Sequence, residues 1–212
     1  MLGYQKRPVS FAIKQLVDYL AAALLLILLS PLLALIALLI KLDSSGPVLF
    51  RQVRAGRFNR PFWILKFRTM IDGADKISLE IIQDDPRITR VGRWLRIMSL
   101  DELPQLINVL RGQMSLIGPR PLLPGTVRPS EARRQEMKPG LSSYPVLFGR
   151  HALSWDERMR LDIWYVEHWS LWLDLKIALL TIPRLWARQN AGQSRRRPDA
   201  ASVVSVEQNN AR

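Results

Sequence analysis

Residues 19–40 read YLAAALLLILLSPLLALIALLI, 22 positions without a charge. At about 1.5 Å of rise per residue, a helix of that length crosses the roughly 30 Å hydrocarbon core of a bilayer. No small-x-small cleavage site follows, so the segment is expected to stay in the mature protein. Ser30-Pro31 sits in its middle. Pro31 cannot donate a backbone hydrogen bond and crowds the carbonyl of Ile27, while the Ser30 hydroxyl can take up a freed backbone group. Lys6, Arg7 and Lys14 precede the segment against Asp18; Lys41, Arg51, Arg54, Arg57 and Arg60 follow it against Asp43. Cations on both flanks ask for both flanks on the cytoplasmic side. A helix broken at Ser30-Pro31 and returning to the same face meets that demand. A kinked single-pass helix is the competing reading, and the segment alone leaves both open.

Composition limits the rest. The 212 residues carry 31 Lys+Arg against 18 Asp+Glu, a formal net charge of +13, yet 48% are hydrophobic. That is too apolar for a disordered basic chain. It suits a nucleic-acid binder with a large core or a protein at an anionic membrane. Zero cysteines exclude disulfides, Cys-ligated zinc and a thiol nucleophile. His151 and His168, the two histidines, do not suggest a His-rich metal site, and no Ser-His-Asp spacing, G-x-G-x-x-G or Walker lysine loop is present. Carboxylates, hydroxyls and cations remain to do the chemistry.

The fold class expected is α/β, mostly α. Residues 46–70 read as two extended runs around the turn signal Asn59-Arg60-Pro61. Asp85-Pro86-Arg87 is expected to open a helix with Ile88, Val91, Leu95 and Met98 as its apolar stripe. A second helix carries Leu103, Leu106, Ile107 and Leu110 and stops at Arg111-Gly112. Residues 115–125, SLIGPRPLLPG, form a stiff loop because Pro119, Pro121 and Pro124 cannot be helical. Ser154-Trp155-Asp156-Glu157 is a capping box ahead of an amphipathic stretch through about Trp186. Five of the seven tryptophans fall there, which suggests interfacial helices in the headgroup layer. The chain divides into 1–42, a basic N-terminus and membrane helix; 43–190, one domain of usual single-core size; and 191–212, a disordered basic and polar tail.

Asp101-Glu102 is where chemistry could sit. With Arg96 before and Arg120 in the proline loop after, adjacent carboxylates could hold a divalent metal and a diphosphate. An Asp carboxylate can attack phosphorus to give an acyl phosphate once the phosphate charge is screened. The competing reading is a helix N-terminus. Ser99-Leu100-Asp101-Glu102 is itself a capping box, and with Asp101 as the cap Pro104 falls in the first turn, where proline fits. Asp84-Asp85 reads as a turn and cap. Six cations between Phe50 and Arg68 read either as a solvated basic face or as a phosphate site.

In order, the chain carries Ser30-Pro31, Gly46-Pro47-Val48-Leu49-Phe50-Arg51-Gln52, Lys66-Phe67-Arg68-Thr69-Met70, Asp85-Pro86-Arg87-Ile88-Thr89, Arg96, Ser99-Leu100-Asp101-Glu102-Leu103-Pro104-Gln105 and Met114-Ser115-Leu116-Ile117-Gly118-Pro119-Arg120-Pro121. Over roughly residues 8–186 this resembles the bacterial sugar transferases, monotopic phosphoglycosyl transferases acting on polyprenyl phosphate. The resemblance implies that Asp101 attacks the β-phosphate of a UDP-sugar, releases UMP and hands the phosphosugar to undecaprenyl phosphate. Glu102 would be its partner, concerned with Mg²⁺ or with activating the lipid phosphate; Mg²⁺ would sit on Asp101 and Glu102, and phosphate would be held by Arg96, Arg120, Lys66 and Arg68. It also implies a re-entrant helix turned back at Ser30-Pro31, and a bacterial inner membrane with the catalytic domain on the cytoplasmic face. The reaction would be the first membrane step of polysaccharide or glycoconjugate synthesis. Inner-membrane lipids would be partners and nucleic acid would not; a homodimer is one open assembly. Relatives commonly read Pro-Gly-Ile-Thr-Gly-Trp and then Gly-Arg-Asn, whereas this chain has Pro139-Gly140-Leu141-Ser142-Ser143-Tyr144 and Gly149-Arg150-His151. The sugar is therefore left open. The alternative function is a membrane-anchored basic binding or scaffold protein without catalysis.

Overall fold

A computed structural model describes residues 8–78, 82, 84–148 and 153–191; the tail from residue 192, Lys6, Arg7 and Arg150-His151 lie outside them. The described residues are mostly helical with two small two-stranded sheets, an α/β arrangement as expected. Helix α1, Pro8–Asp43, runs through Pro31 as one element. The carbonyl that Pro31 leaves without its backbone donor is that of Ile27, and Ser30 Oγ donates to it at 2.8 Å.

Helix α1 has two faces. Lys14, Asp18, Ala22, Ile36 and Ile40 are buried, and Leu26, Leu29 and Leu33 between them pack on the domain. These positions recur every three or four residues and form one stripe. Leu20, Leu24, Leu28, Leu35, Leu38 and Leu42 are exposed. Only 11% of the most apolar window is buried, so this is no ordinary core helix; it is the one helix among the described residues long and apolar enough to cross a membrane.

The extended runs form an antiparallel hairpin, β1 Leu49–Ala55 with β2 Pro61–Phe67. The turn signal at 59–61 is where the chain reverses, through a 3-10 turn at Arg57–Asn59. Helix α2, Ala74–Ile77, is one short turn. Helix α3, Arg90–Met98, begins later than the sequence suggests, with Thr89 as its cap accepting from Gly92 N at 3.0 Å. Asp85 does not cap it. Its carboxylate is buried and spent on Arg87, taking Nη2 at 2.6 Å, Nε at 2.9 Å and the backbone N at 3.0 Å. Gly92 lies so close to Thr69 that an added Cβ would sit 2.0 Å from the Thr69 carbonyl oxygen, which fixes α3 tightly on the segment after β2.

Helix α4, Gln105–Leu110, stops at Gly112 with φ +71°, as Arg111-Gly112 suggested. Its buried apolar positions are Leu106 and Val109, and Leu110 is exposed. Strand β3, Ser115–Ile117, pairs in parallel with β4, Gly140–Ser142. The expected single amphipathic stretch is two helices, α5 Trp155–His168 and α6 Leu171–Ala191, and the Ser154–Glu157 capping box forms. Trp169, at the turn between them, is a core residue rather than an interfacial one, and Trp155 donates to Glu131. Trp164 stacks on Tyr144 and His168, while Trp172 is exposed.

A buried polar cluster ties α1 to the domain. Lys14 Nζ donates to Asp174 Oδ2 at 2.7 Å and to the Ile117 carbonyl at 3.0 Å. Asp174 also accepts from Tyr165 OH at 2.6 Å and Trp169 Nε1 at 3.0 Å. Asp18 accepts from Ser115 Oγ at 2.7 Å and Leu116 N at 3.1 Å. Each charge is paired and hydrogen-bonded, the condition under which buried charge is tolerated.

Candidate active site

Ser99 ends α3 in the left-handed region, at φ +57°, an uncommon conformation for a residue with a Cβ. The chain then makes a 3-10 turn, Leu100–Glu102, before Pro104 and α4. Ser99 makes no side-chain cap bond there, so the capping box suggested by the sequence does not form. Asp101 is not the cap of α4 either, because Pro104 occupies that position. The carboxylates of Asp101 and Glu102 face cations instead.

Lys66, near the end of β2, places Nζ 2.9 Å from Glu102 Oε1 and 3.9 Å from Asp101 Oδ2. Arg120 Nη2 lies 3.3 Å from the same Glu102 oxygen. Arg96, one helical turn before the dyad, donates through Nε to Thr69 Oγ1 at 2.8 Å. The Lys-Phe-Arg-Thr motif thus divides its work. Lys66 meets the dyad, Phe67 is buried with Ile36, Ile40 and Leu95, and Thr69 holds Arg96. Arg68 goes elsewhere: its guanidinium donates to the carbonyls of Ser44 and Ser45 and to Ser44 Oγ, fixing the exit of α1 rather than touching the dyad.

Burial pushes the Asp101 carboxyl above the usual range. Lys66 pulls it down, the Glu102 charge pushes it up, and Arg96 pulls it down again. The dyad's carboxylates are only about one-seventh exposed. A cavity of about 40 Å³ opens beside Glu102, lined by Arg54, Lys66, Gln105, Arg120, Gly140 and Leu141 among others. A larger open groove of about 620 Å³ lies between Phe58-Asn59 and residues 129–136 and includes none of the dyad residues.

The proline loop is pinned from two sides. Ala55 N donates to the Leu122 carbonyl at 2.9 Å, and Arg134 Nη2 donates to the Arg120 carbonyl at 2.6 Å. Arg134 is itself paired with buried Asp162 at 2.7 Å. Arg134 and Asp162 are 28 residues apart, and no local pattern points to their pairing. Arg54 is the lining residue that sequence reasoning left inside a general run of cations. The signal was alternation: in the hairpin register Arg54 pairs with Phe62, Gln52 with Ile64 and Phe50 with Lys66, so Arg54 and Lys66 share a face. The atypical stretch reaches the site through Gly140 and Leu141.

The carboxylates and the cations around them make a charged site on the same domain that carries the long apolar helix. The sequence profile of the bacterial sugar transferases matches residues 9–188. The chain is 49% identical over 192 residues to the UDP-glucose:undecaprenyl-phosphate glucose-1-phosphate transferase of Caulobacter vibrioides, covering 84% of this chain and 71% of that one. It is 44% identical to the undecaprenyl-phosphate glucose phosphotransferase of Komagataeibacter xylinus, covering 88% of this chain but 39% of that one. It is 42% identical to the uncharacterized sugar transferase EpsL of Bacillus subtilis, covering 86% and 91%. The chain belongs to the bacterial sugar transferase family and is an enzyme, a phosphoglycosyl transferase.

Proposed function

We propose that this enzyme transfers a sugar-1-phosphate from a UDP-sugar to undecaprenyl phosphate, with Asp101 as nucleophile. The observation that carries the reading is the Asp101-Glu102 pair, on the 3-10 turn between α3 and α4, set among Lys66, Arg96 and Arg120. An Asp101 carboxylate oxygen attacks the β-phosphorus, the bond from that phosphorus to the bridging oxygen breaks, and UMP leaves. A phosphate oxygen of undecaprenyl phosphate then attacks the same phosphorus. The bond to Asp101 breaks, the carboxylate returns, and the product is undecaprenyl-diphosphate sugar. Covalent catalysis of this kind splits one difficult displacement into two. Lys66, Arg96 and Arg120 would hold the phosphate oxygens, and Glu102 would orient the lipid phosphate. Arg68, turned onto the α1 exit, supports the site from behind.

The donor set fits Mg²⁺. The described residues hold no group of three His, Cys, Asp or Glu side chains that could cage a metal, but Mg²⁺ commonly takes one or two carboxylates and completes its shell with substrate phosphates. Asp101 and Glu102 would hold it, and when bound it screens the charge of the diphosphate.

Helix α1 is read as re-entrant. The domain grips both its early turns, through Lys14 and Asp18, and its late turns, through Ile36, Ile40 and Asp43, which accepts from Val91 N at 2.9 Å. One domain holding both ends favours both ends on one side of the bilayer, with the exposed leucines entering lipid. By the positive-inside rule that side is the cytoplasmic face of the bacterial inner membrane. The purified protein with Mg²⁺, undecaprenyl phosphate and a panel of UDP-sugars should release UMP with at least one donor, and Asp101→Asn should lower that rate by about 10³-fold or more. Release at an unchanged rate in the variant would place the nucleophile elsewhere.

A further inference from the structure

The cavity beside Glu102 holds more positive charge than its protein partners balance. Glu102 takes Lys66 at 2.9 Å and Arg120 at 3.3 Å on one oxygen, and Arg54 lines the same cavity. Arg54 shares the Lys66 face of the hairpin, and its neighbour on that face, Gln52, accepts from Arg54 Nη2 and so steers the guanidinium. Arg54 Nε is buried with no hydrogen-bond partner among the described residues. A buried donor of a charged group left unsatisfied is costly, and two guanidiniums facing one carboxylate repel each other. Burial and the charge of Arg120 both push the Arg54 guanidinium below its ordinary pKa, while Glu102 pulls it back up. A cavity of about 40 Å³ gives room for roughly three water-sized groups, on the scale of one phosphoryl group. An anion would relieve each of these costs.

We propose that Arg54 is a substrate-binding residue, a further cation of the diphosphate site that holds phosphate oxygens together with Lys66 and Arg120. The assignment rests on the transferase reading for the identity of the anion, but the excess of cations stands without it. Arg54 acts by binding and takes no part in forming or breaking a bond.

The test uses the full chain in detergent micelles, with inorganic pyrophosphate and uridine as separate probes and UMP release measured in parallel. Arg54→Gln should weaken pyrophosphate binding by about tenfold or more, the weight of a lost charge-assisted hydrogen bond, and leave any uridine binding unchanged. Arg54→Lys, which keeps the charge and loses the fork, should fall between and should raise KM for the UDP-sugar more than it lowers kcat. A melting transition like that of the wild type certifies each variant as folded, and Arg54→Lys carries the test if Arg54→Gln does not fold. A folded variant that binds pyrophosphate as tightly as the wild type overturns the proposal, as does a wild type that binds none. No UMP release by the wild type with any donor of the panel would sink the transferase reading instead, and the pyrophosphate result would still decide Arg54.

Discussion

As the proposed nucleophile, Asp101 would have to be ionised to attack phosphorus, and its burial opposes that. A carboxyl whose pKa is raised loses its charge as pH falls through a value above the ordinary aspartate range. The acid limb of the rate profile should therefore lie higher than for an exposed aspartate. Lys66 is the strongest influence holding the charge in place. Lys66→Gln should move the acid limb to still higher pH, in addition to weakening substrate binding; a profile of kcat/KM against pH checks this, and an unmoved limb would separate Lys66 from the ionisation of Asp101. The same linkage predicts stability. The raised pKa means that ionised Asp101 costs the folded state stability above that pKa, and the cost fades as pH falls below it. Asp101→Asn should thus melt no lower than the wild type at neutral pH, with any gain shrinking in acid. At this scale the sequence was informative about identity and less so about duty. Motif spacing singled out Asp101, Glu102, Arg96, Arg120 and Lys66, which do gather. It could not show that Arg68 turns back to Ser44 and Ser45, since both neighbours in a Lys-x-Arg run look equally available.

The elements are held by pairs far apart in the chain. Lys14 and Asp174 are 160 residues apart, yet Nζ and Oδ2 meet at 2.7 Å. Lys14→Met would leave Asp174 with Tyr165 and Trp169 as donors but no counter-charge. Breaking a buried pair in this way costs about 3–5 kcal/mol, which chemical denaturation in detergent would register. A loss below about 1 kcal/mol, the size of an exposed pair, would mean that α1 is anchored by its apolar stripe alone. The hairpin, the proline loop and the Ser154 capping box were legible because local rules dictate them. The start of α3 was not. Asp85-Pro86 looks like a helix opening until Arg87 is seen to fold back onto the Asp85 carboxylate, which makes it a turn. Trp169 was misplaced in the headgroup layer because density of tryptophan is a compositional signal, and only packing shows that its ring lies against Phe11 of α1.

For the whole molecule the deciding feature is how α1 meets the membrane. Between Asp18 and Ile36 a helix rises about 27 Å, close to the thickness of the hydrocarbon core. That one domain grips both of these points is what supports the proposed re-entrant placement. The chain has no cysteine, so introduced thiols label uniquely. Gln5→Cys and Ala200→Cys should both react with an impermeant reagent from the same side of sealed vesicles. Labelling from opposite sides would replace the re-entrant helix with a spanning one. In the proposed placement the cationic excess of +13 would hold anionic lipid and anionic substrates at one surface. The apolar segment was plain from sequence, and so was its proline. Which face packs on the domain was not, because a uniformly apolar stretch carries little pattern to separate lipid from protein.

The central claim is a covalent phosphosugar on Asp101, and it is tested most directly without the acceptor. Enzyme mixed with its UDP-sugar and Mg²⁺, but no undecaprenyl phosphate, should release a burst of UMP approaching one equivalent per active site. Asp101→Asn should give none. A wild type that releases UMP only when undecaprenyl phosphate is present would mean direct transfer between the substrates, and a burst that persists in Asp101→Asn would mean a different nucleophile.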